Sequence, residues 1–86
     1  MVSRIKVYDV IKGERDYQNA LGPERTDGSE KTVGDYLTML RAYLNRADEA
    51  WIANSGCVPA LHEMRKIAAI AVRCMEEHGA PRRVGF

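Results

Sequence analysis

Apolar residues recur at steps of three and four along most of this chain, a period typical of helices that bury one face. We call such a line of apolar residues along one helix face a seam. The clearest seam lies in the middle of the chain and consists of Val33, Leu37, Leu40, Leu44, Ala47 and Trp51. Its heptad-like spacing favours antiparallel packing against another helix. Thr32 suits the N-cap, because Asp35 follows three residues later at the positive end of the helix dipole. The pattern predicts a helix over 32–53, ended by the sequence ANSG.

A second seam at the same spacing predicts a helix over 59–78. Its residues are Leu61, Met64, Ala68, Ala71, Met75 and His78. Pro59 suits the first turn, and Gly79 followed by Pro81 is a typical end signal. Additional apolar residues widen this surface beyond what one partner helix covers. We therefore expect the 32–53 and 59–78 helices to form an antiparallel hairpin, and we expect a homo-oligomer.

The rest of the chain predicts one further helix and no sheet. A weaker apolar period indicates an N-terminal helix over 5–20, although Gly13 lowers its helix propensity. Glycine, proline and charged residues without an apolar period predict a loop over 21–31. We expect 80–86 to be a flexible tail. The sequence therefore predicts an all-α fold in a single helical domain spanning 1–86.

Composition and charge limit the classes of partner that we expect this protein to bind. The 86 residues are 45% hydrophobic and carry a formal net charge of +1, which gives no electrostatic reason to expect DNA, RNA or membrane binding. No apolar run approaches the roughly 18 residues of a membrane span. The N-terminus lacks the apolar core of a signal peptide, so we expect a cytoplasmic protein. Cys57 and Cys74 have neither zinc-site nor disulfide-framework spacing and are expected to be reduced.

Motifs for catalysis are missing from the sequence. It contains no GxSxG, P-loop or GxGxxG motif, and no ExxE or ExxD pair falls on the predicted helices. Helices that hold magnesium need such pairs, because residues three or four apart share a face. His62 and His78 are single histidines for which capping or surface roles are expected. We expect no catalytic residue, no bound metal and no cofactor.

A group of basic and aromatic residues gives a stronger indication of a ligand site. Tyr43 and Arg46 share a face beside the first seam, and Lys66 flanks the second. The sequence ERDYQ at 14–18 adds Arg15 and Gln18. Guanidinium groups and an aromatic ring beside a groove can hold a phosphate and stack a base. The alternative is that these side chains merely cover the edge of a helical core.

Four segments carry a resemblance: ERDYQNALG, TVGDYLTML, ADEAW and ALHEMRKIAAIAVRCMEEHG. Across 14–79 the chain resembles small phage and prophage proteins that are themselves similar to MazG-like all-α nucleotide pyrophosphohydrolases. The resemblance implies a helical bundle, usually a dimer or tetramer, that binds a nucleotide between helices. It also implies magnesium held by an EExxE-type motif on one helix and an ExxD-type motif on the next.

This chain departs from that pattern at the metal-binding positions. Aligned on ADEAW, the first motif is replaced by Ala42, Tyr43 and Arg46, and the second by Glu63 and Lys66. Among these positions, only that of Glu63 still has a carboxylate side chain. Cations do not ligate magnesium but can offset phosphate charge directly. The resemblance therefore implies a bundle that has lost hydrolysis and could still bind an anionic ligand.

The leading hypothesis is a non-catalytic phage-type protein that binds, and sequesters, a nucleotide or nucleotide-derived signal to blunt host defence. In it, Arg46 and Lys66 hold phosphate, and Tyr43 or Trp51 stacks a base. The complete candidate site comprises Tyr43, Arg46, Lys66, Arg15, Gln18, Lys31, Trp51 and Glu63. One alternative is a helical module that binds or inhibits a host protein. Another is a magnesium-dependent nucleotide pyrophosphohydrolase that uses Glu49, Glu63 and acids from another subunit.

Overall fold

The computed structural model describes residues 1–22, 30–53 and 56–85, and within them the chain forms three α-helices and no strand. These are α1 (Arg4–Ala20), α2 (Val33–Ala53) and α3 (Val58–His78). The all-α prediction is confirmed, and each predicted helix boundary lies within one residue of the observed one. Parts of three other predictions lie outside the described residues: 23–29 of the 21–31 loop, 54–55 of the ANSG helix end, and residue 86 of the 80–86 tail.

Local sequence explains where the helices begin and end. Thr32 and Asp35 cap α2 reciprocally: the Asp35 N–H donates to Thr32 Oγ1 at 3.1 Å, and the Thr32 N–H donates to Asp35 Oδ2 at 2.8 Å. Pro59 lies in the first turn of α3. At the other end, Gly79 adopts a positive φ of 118°, and its N–H donates to the Met75 carbonyl at 2.8 Å. The predicted cap and end signals are therefore present.

Side-chain contacts establish the direction of the helices. Tyr36, near the start of α2, donates its hydroxyl hydrogen to Glu77 at the end of α3, at 2.5 Å. The α2–α3 hairpin is therefore antiparallel. Arg15, near the end of α1, donates to Glu76 near the end of α3 at 2.6 Å, so α1 runs roughly parallel to α3. Both α1 and α2 pack on α3, and in the described part of the chain their own backbones do not meet.

The buried core is small. Tyr36, Ala47, Ala69 and Ile70 are its buried apolar residues, and Arg15 is the buried charged residue among those described. The face that α2 turns toward α3 is therefore offset from the predicted seam, since Leu37 and Leu44 are about half exposed. The reason is that α2 places Tyr36, one position before Leu37, over α3. Among the described residues, no helix combines the length and apolarity that crossing a bilayer requires.

Candidate functional site

The side chains of α1 and α2 face each other across α3 and enclose a groove of about 270 Å³. We call this the α1/α2 groove. Its lining residues are Glu14, Tyr17, Gln18, Leu21, Met39, Tyr43, Lys66, Ile70 and Arg73. On α2 and α3 these residues are three, four or seven positions apart, so they project from one face of each helix, and the α1 wall is formed by Glu14, Tyr17 and Gln18 with Leu21 just beyond its end. The groove exists because α3 separates the other two helices and forms the floor between them.

Two tyrosines, Tyr17 and Tyr43, line the groove, and Tyr43 has a cation against its ring. The guanidinium carbon of Arg46 lies 4.5 Å from the centre of the Tyr43 ring, within cation–π distance. Arg46 is exposed, so its charge is available at the edge of the groove. An aromatic ring with a cation against it is a suitable surface for a planar, negatively charged ligand.

Charge inside the groove is mixed. Lys66 Nζ lies 3.1 Å from Glu63 Oε1, one helical turn away on α3. Glu14 on the opposite wall accepts from Arg65 Nε at 2.7 Å. Arg73 pairs with Glu77 at 3.5 Å. The cations Lys66 and Arg73 are therefore held in place by carboxylates that lower the net positive potential of the groove.

Two buried oxygen atoms on residues in or next to the groove have no hydrogen-bond partner among the described residues. Gln18 Oε1 belongs to a residue that lines the groove, and Glu63 Oε2 belongs to the carboxylate whose other oxygen pairs with Lys66. Buried polar atoms usually have a partner, so each such exception indicates a place where a further donor would be stabilising. The exocyclic amine or ring N–H of a nucleobase is a donor of the required kind.

The structure brings several of the predicted site residues together. Gln18, Tyr43 and Lys66 line the same groove, from three different helices. Arg46 joins them through Tyr43, and Glu63 through Lys66. Arg15, Lys31 and Trp51 are not among the residues that line this groove.

Arg15 occupies a structural position. It is only 9% exposed, and it donates from Nε and Nη2 to both oxygens of Glu76, at 2.6 and 3.1 Å. A third bond runs from Nη2 to Asn19 Oδ1 at 3.0 Å. These hydrogen bonds from Arg15 hold the pKa of Glu76 below its usual value. Arg15 therefore joins α1 to α3 beside a different cleft from the α1/α2 groove.

Lys31 lies at the open end of the hairpin, where α2 begins and α3 ends. Its carbonyl oxygen is 2.7 Å from His78 Nε2, and its ammonium group lies 5.7 Å from the centre of the Tyr36 ring. His78 also meets Tyr36 edge-on, with ring centres 6.1 Å apart. Burial, together with the hydrogen bond to Glu77, raises the pKa of Tyr36 to about 12. This cluster joins the ends of α2 and α3.

Trp51 is 60% exposed near the end of α2. Trp51 follows Tyr43 by eight residues, which turns its side chain by roughly 80° at about 3.6 residues per turn. It also places Trp51 about 12 Å further along the helix axis. Tyr43 and Tyr17, which line the groove, are therefore the aromatic residues placed to stack a ligand there, and Trp51 is not.

The predicted site lacks six of the nine residues that line the groove: Glu14, Tyr17, Leu21, Met39, Ile70 and Arg73. Met39 precedes Tyr43 by one turn, while Ile70 and Arg73 follow Lys66 by one and two turns. Glu14 and Leu21 each lie about one turn from Gln18, and Tyr17 is its neighbour in sequence. Helical spacing from Gln18, Tyr43 and Lys66 would have found all of them except Tyr17.

Among the described residues, no group of three or more histidine, cysteine, aspartate or glutamate side chains is placed to hold a metal ion. The expectations of no metal and no cofactor stay predictions. Comparison of the chain with protein-family models, with curated proteins and with solved structures finds no match.

Proposed function

We propose that the protein binds a nucleotide or nucleotide-derived anion in the α1/α2 groove without hydrolysing it. The observation that carries this proposal is the Tyr43–Arg46 stack, on the same groove as Lys66 and the unpartnered Gln18 Oε1. The Tyr43 ring is a partner for the base, the cations Arg46 and Lys66 are partners for the phosphate, and Gln18 Oε1 is an acceptor for a base N–H.

Each part of the ligand has a chemical counterpart. The base stacks on Tyr43 and donates a hydrogen bond to Gln18, while the phosphate is held by Arg46 and Lys66. An incoming phosphate competes with Glu63 for Lys66, which already lies 3.1 Å from that carboxylate. The groove volume of about 270 Å³ is just below the usual range of roughly 300–1,000 Å³ for small-molecule pockets. A mononucleotide-sized ligand therefore fits this site better than an oligonucleotide.

We also propose the wider role that the resemblance to phage and prophage proteins implies. The protein would sequester a nucleotide-derived signal in the cytoplasm of the host cell and so blunt host defence. Sequestration needs binding but no turnover, which agrees with cations at the positions where the MazG-like pattern has carboxylates. In this role the protein works as a homo-oligomer.

A second candidate function is supported by a different observation. Many large apolar side chains are about half exposed, including Leu44 and Trp51 on α2. Surfaces of this kind are used for binding other proteins. A helical module that binds or inhibits a host protein would need no small ligand.

The deciding experiment is a thermal-shift screen against mononucleotides, cyclic di- and trinucleotides and ADP-ribose derivatives, each with and without magnesium. A ligand that binds the native state raises the unfolding midpoint by mass action. We expect a magnesium-independent shift. Arg46→Ala should weaken binding at least about tenfold, because it removes a phosphate contact and the cation on Tyr43.

The matched control is Arg41→Ala, which removes an exposed arginine of the same helix that does not line the groove. It should leave the shift unchanged. If magnesium is required and pyrophosphate is released, the pyrophosphohydrolase alternative replaces this proposal. If no nucleotide shifts the midpoint, the protein-binding alternative does.

A further inference from the structure

A further cleft lies between the N-terminal halves of α1 and α3. Its volume is about 360 Å³, and we call it the N-terminal cleft. Its lining is mostly apolar and includes Val7 and Val10 of α1 and Leu61 and Met64 of α3. A smaller cavity of about 220 Å³ shares Val10 and Leu61 with it and extends it to Val58. No residue of either cavity lines the α1/α2 groove, so this is a separate site.

The apolar walls of the N-terminal cleft are open to solvent. Val7 and Val10 are 44% and 49% exposed, and Leu61 and Met64 are 56% and 52% exposed. Each pair is three positions apart, so each wall presents an apolar stripe from one face of its helix. Single exposed apolar residues are common on soluble proteins, whereas a contiguous set that lines a cleft is typical of a binding site.

The charge at the N-terminal cleft is positive. Lys6 lies in the α1 wall, and its ammonium group has no ion-pair partner among the described residues. Arg65, in the α3 wall, donates from Nε to Glu14 at 2.7 Å and contacts His62 Nδ1 through Nη1 at 2.5 Å. Glu14 therefore offsets the charge of Arg65, while the charge of Lys6 is left for a partner.

The helix ends at this cleft add to the positive potential. Its lining extends to both helix starts, at Arg4 of α1 and Val58 of α3, and neither helix has an acidic residue in its first turn. Carboxylates stabilise that position most, because the unpaired N–H groups make it partly positive. In α2, Asp35 fills this role. The first acid of α3, Glu63, pairs at 3.1 Å with Lys66, which lines the other groove.

Length and shape favour a helix as the occupant. The lining residues of α3 span 58–68, which is about 15 Å along the helix axis, or roughly three turns. An amphipathic helix of that length presents apolar residues at i, i+3, i+4 and i+7. Met64 suits such a contact, because its flexible side chain adapts to the surface it meets. A single acyl chain has one anionic group, whereas the positive charge here is spread over both walls.

We propose that the N-terminal cleft binds an amphipathic helix of another protein, one with acidic residues beside its apolar stripe. The stripe packs on Val7, Val10, Leu61 and Met64, and the carboxylates face Lys6 and the two helix starts. This proposal rests on the second candidate function, for which it names the surface and the chemistry of the partner. It does not depend on nucleotide binding, because the cleft and the α1/α2 groove share no lining residue.

Fluorescence polarisation with two labelled helical peptides tests the proposal. Both peptides have about 14 residues, enough to span the cleft, with leucine at i, i+3, i+4 and i+7. Glutamate flanks the leucines in one peptide and lysine in the other. The glutamate peptide should bind at least about tenfold more tightly. Met64→Glu should weaken its binding at least about tenfold, and Lys6→Glu should remove most of the preference for glutamate.

Leu44→Glu is the matched control. Leu44 is 51% exposed, close to the value for Met64, but it lies on α2 and does not line the cleft. This variant should bind the glutamate peptide as the wild type does, and circular dichroism should report equal helicity for all variants. Equal binding of the two peptides, or equal losses in Leu44→Glu and Met64→Glu, would overturn the proposal.

Three further results would also overturn it. If neither peptide binds at about 100 µM protein, the cleft is not a helix-binding site, and the second candidate function then depends on the exposed residues of α2. Displacement of the glutamate peptide by equimolar dodecanoate would assign the cleft to an acyl chain. A wild-type dimer that Met64→Glu dissociates, measured by sedimentation velocity without peptide, would assign it to a second copy of the chain. The nucleotide thermal shift should be the same in Met64→Glu and the wild type, so the two proposed sites are tested separately.

Discussion

At the scale of single residues, two polar contacts join α1 and α2 to the last turns of α3. Tyr36 is fully buried, and its hydroxyl donates a hydrogen bond to Glu77. Arg15 forms the equivalent link between α1 and α3. These contacts define the register of a bundle whose apolar core is small.

Tyr36→Phe tests the contribution of the hydroxyl. At neutral pH the loss of the bond to Glu77 should lower the free energy of unfolding by about 1 kcal/mol. The pKa of Tyr36 is raised to about 12 in the folded state, against about 10 in an unfolded chain. The wild-type contribution is therefore present below pH 10 and lost as the pH rises toward 12.

By pH 11 that loss amounts to about 1.4 kcal/mol. Because phenylalanine does not titrate, the variant should equal or exceed the wild type in stability at pH 11. Urea denaturation at pH 7, 9 and 11 measures both curves. Tyr8→Phe, at an exposed position of α1, should run parallel to the wild type. A constant difference between Tyr36→Phe and the wild type across this range would contradict the raised pKa.

The roles of individual site residues were only partly predictable from sequence. Tyr43 and Lys66 were identified because helical spacing places them beside the apolar seams, and Gln18 because it belongs to the polar sequence ERDYQ. Arg15 has the same spacing relation to Gln18 as Tyr43 has to Arg46, yet it turns to Glu76 and not to the groove. Spacing gives the face of a helix, but the rotation of α1 against α3 depends on long-range contacts such as Arg15–Glu76.

At the scale of helices, the sequence was a better guide. Reciprocal capping by Thr32 and Asp35 and the Gly79 end signal depend on neighbours within four residues, so the boundaries could be predicted. The part of the α2 seam that faces α3 could not be predicted, because the apolar residues of α2 cover a wider arc of the helix than one packing helix buries. The structure places Tyr36 and Ala47 in that contact and leaves Leu37 and Leu44 at its edge.

Helix α1 contains a residue that weakens it without any compensating contact. A Cβ built on Gly13 would meet no atom within 4 Å, and Gly13 lies in the interior of a regular helix. Gly13→Ala should therefore stabilise the protein by about 0.5–1 kcal/mol through helix propensity and a less flexible unfolded chain. Urea or thermal denaturation measures the change.

Gly79→Ala provides the contrasting control. A Cβ there also has open space, but the residue adopts a φ of +118°, which L-residues rarely adopt. This second substitution should destabilise the protein. Equal effects at the two positions would show that backbone conformation does not distinguish them.

At the scale of the whole molecule, the small core and the large exposed apolar area are two aspects of one arrangement. The helices α1, α3 and α2 lie in a row and bury few residues completely, because within the described part of the chain the backbones of α1 and α2 each pack on α3 alone. Small domains commonly resolve this shortage through oligomerisation. Stability should then depend on protein concentration.

We expect the unfolding midpoint to rise by roughly 3–5 °C for each tenfold increase in chain concentration, because folding and dimerisation are coupled by mass action. Circular dichroism melts between about 5 and 500 µM chain cover a sufficient range. Trp51 is 60% exposed, and Trp51→Lys places a charge among the exposed apolar residues of α2, so in this variant the same melts should begin lower and lose most of the concentration dependence. A wild-type midpoint that stays constant from one end of the series to the other would mean that the isolated three-helix chain is stable by itself. The exposed apolar residues of α2 and α3 would then be left to a different partner.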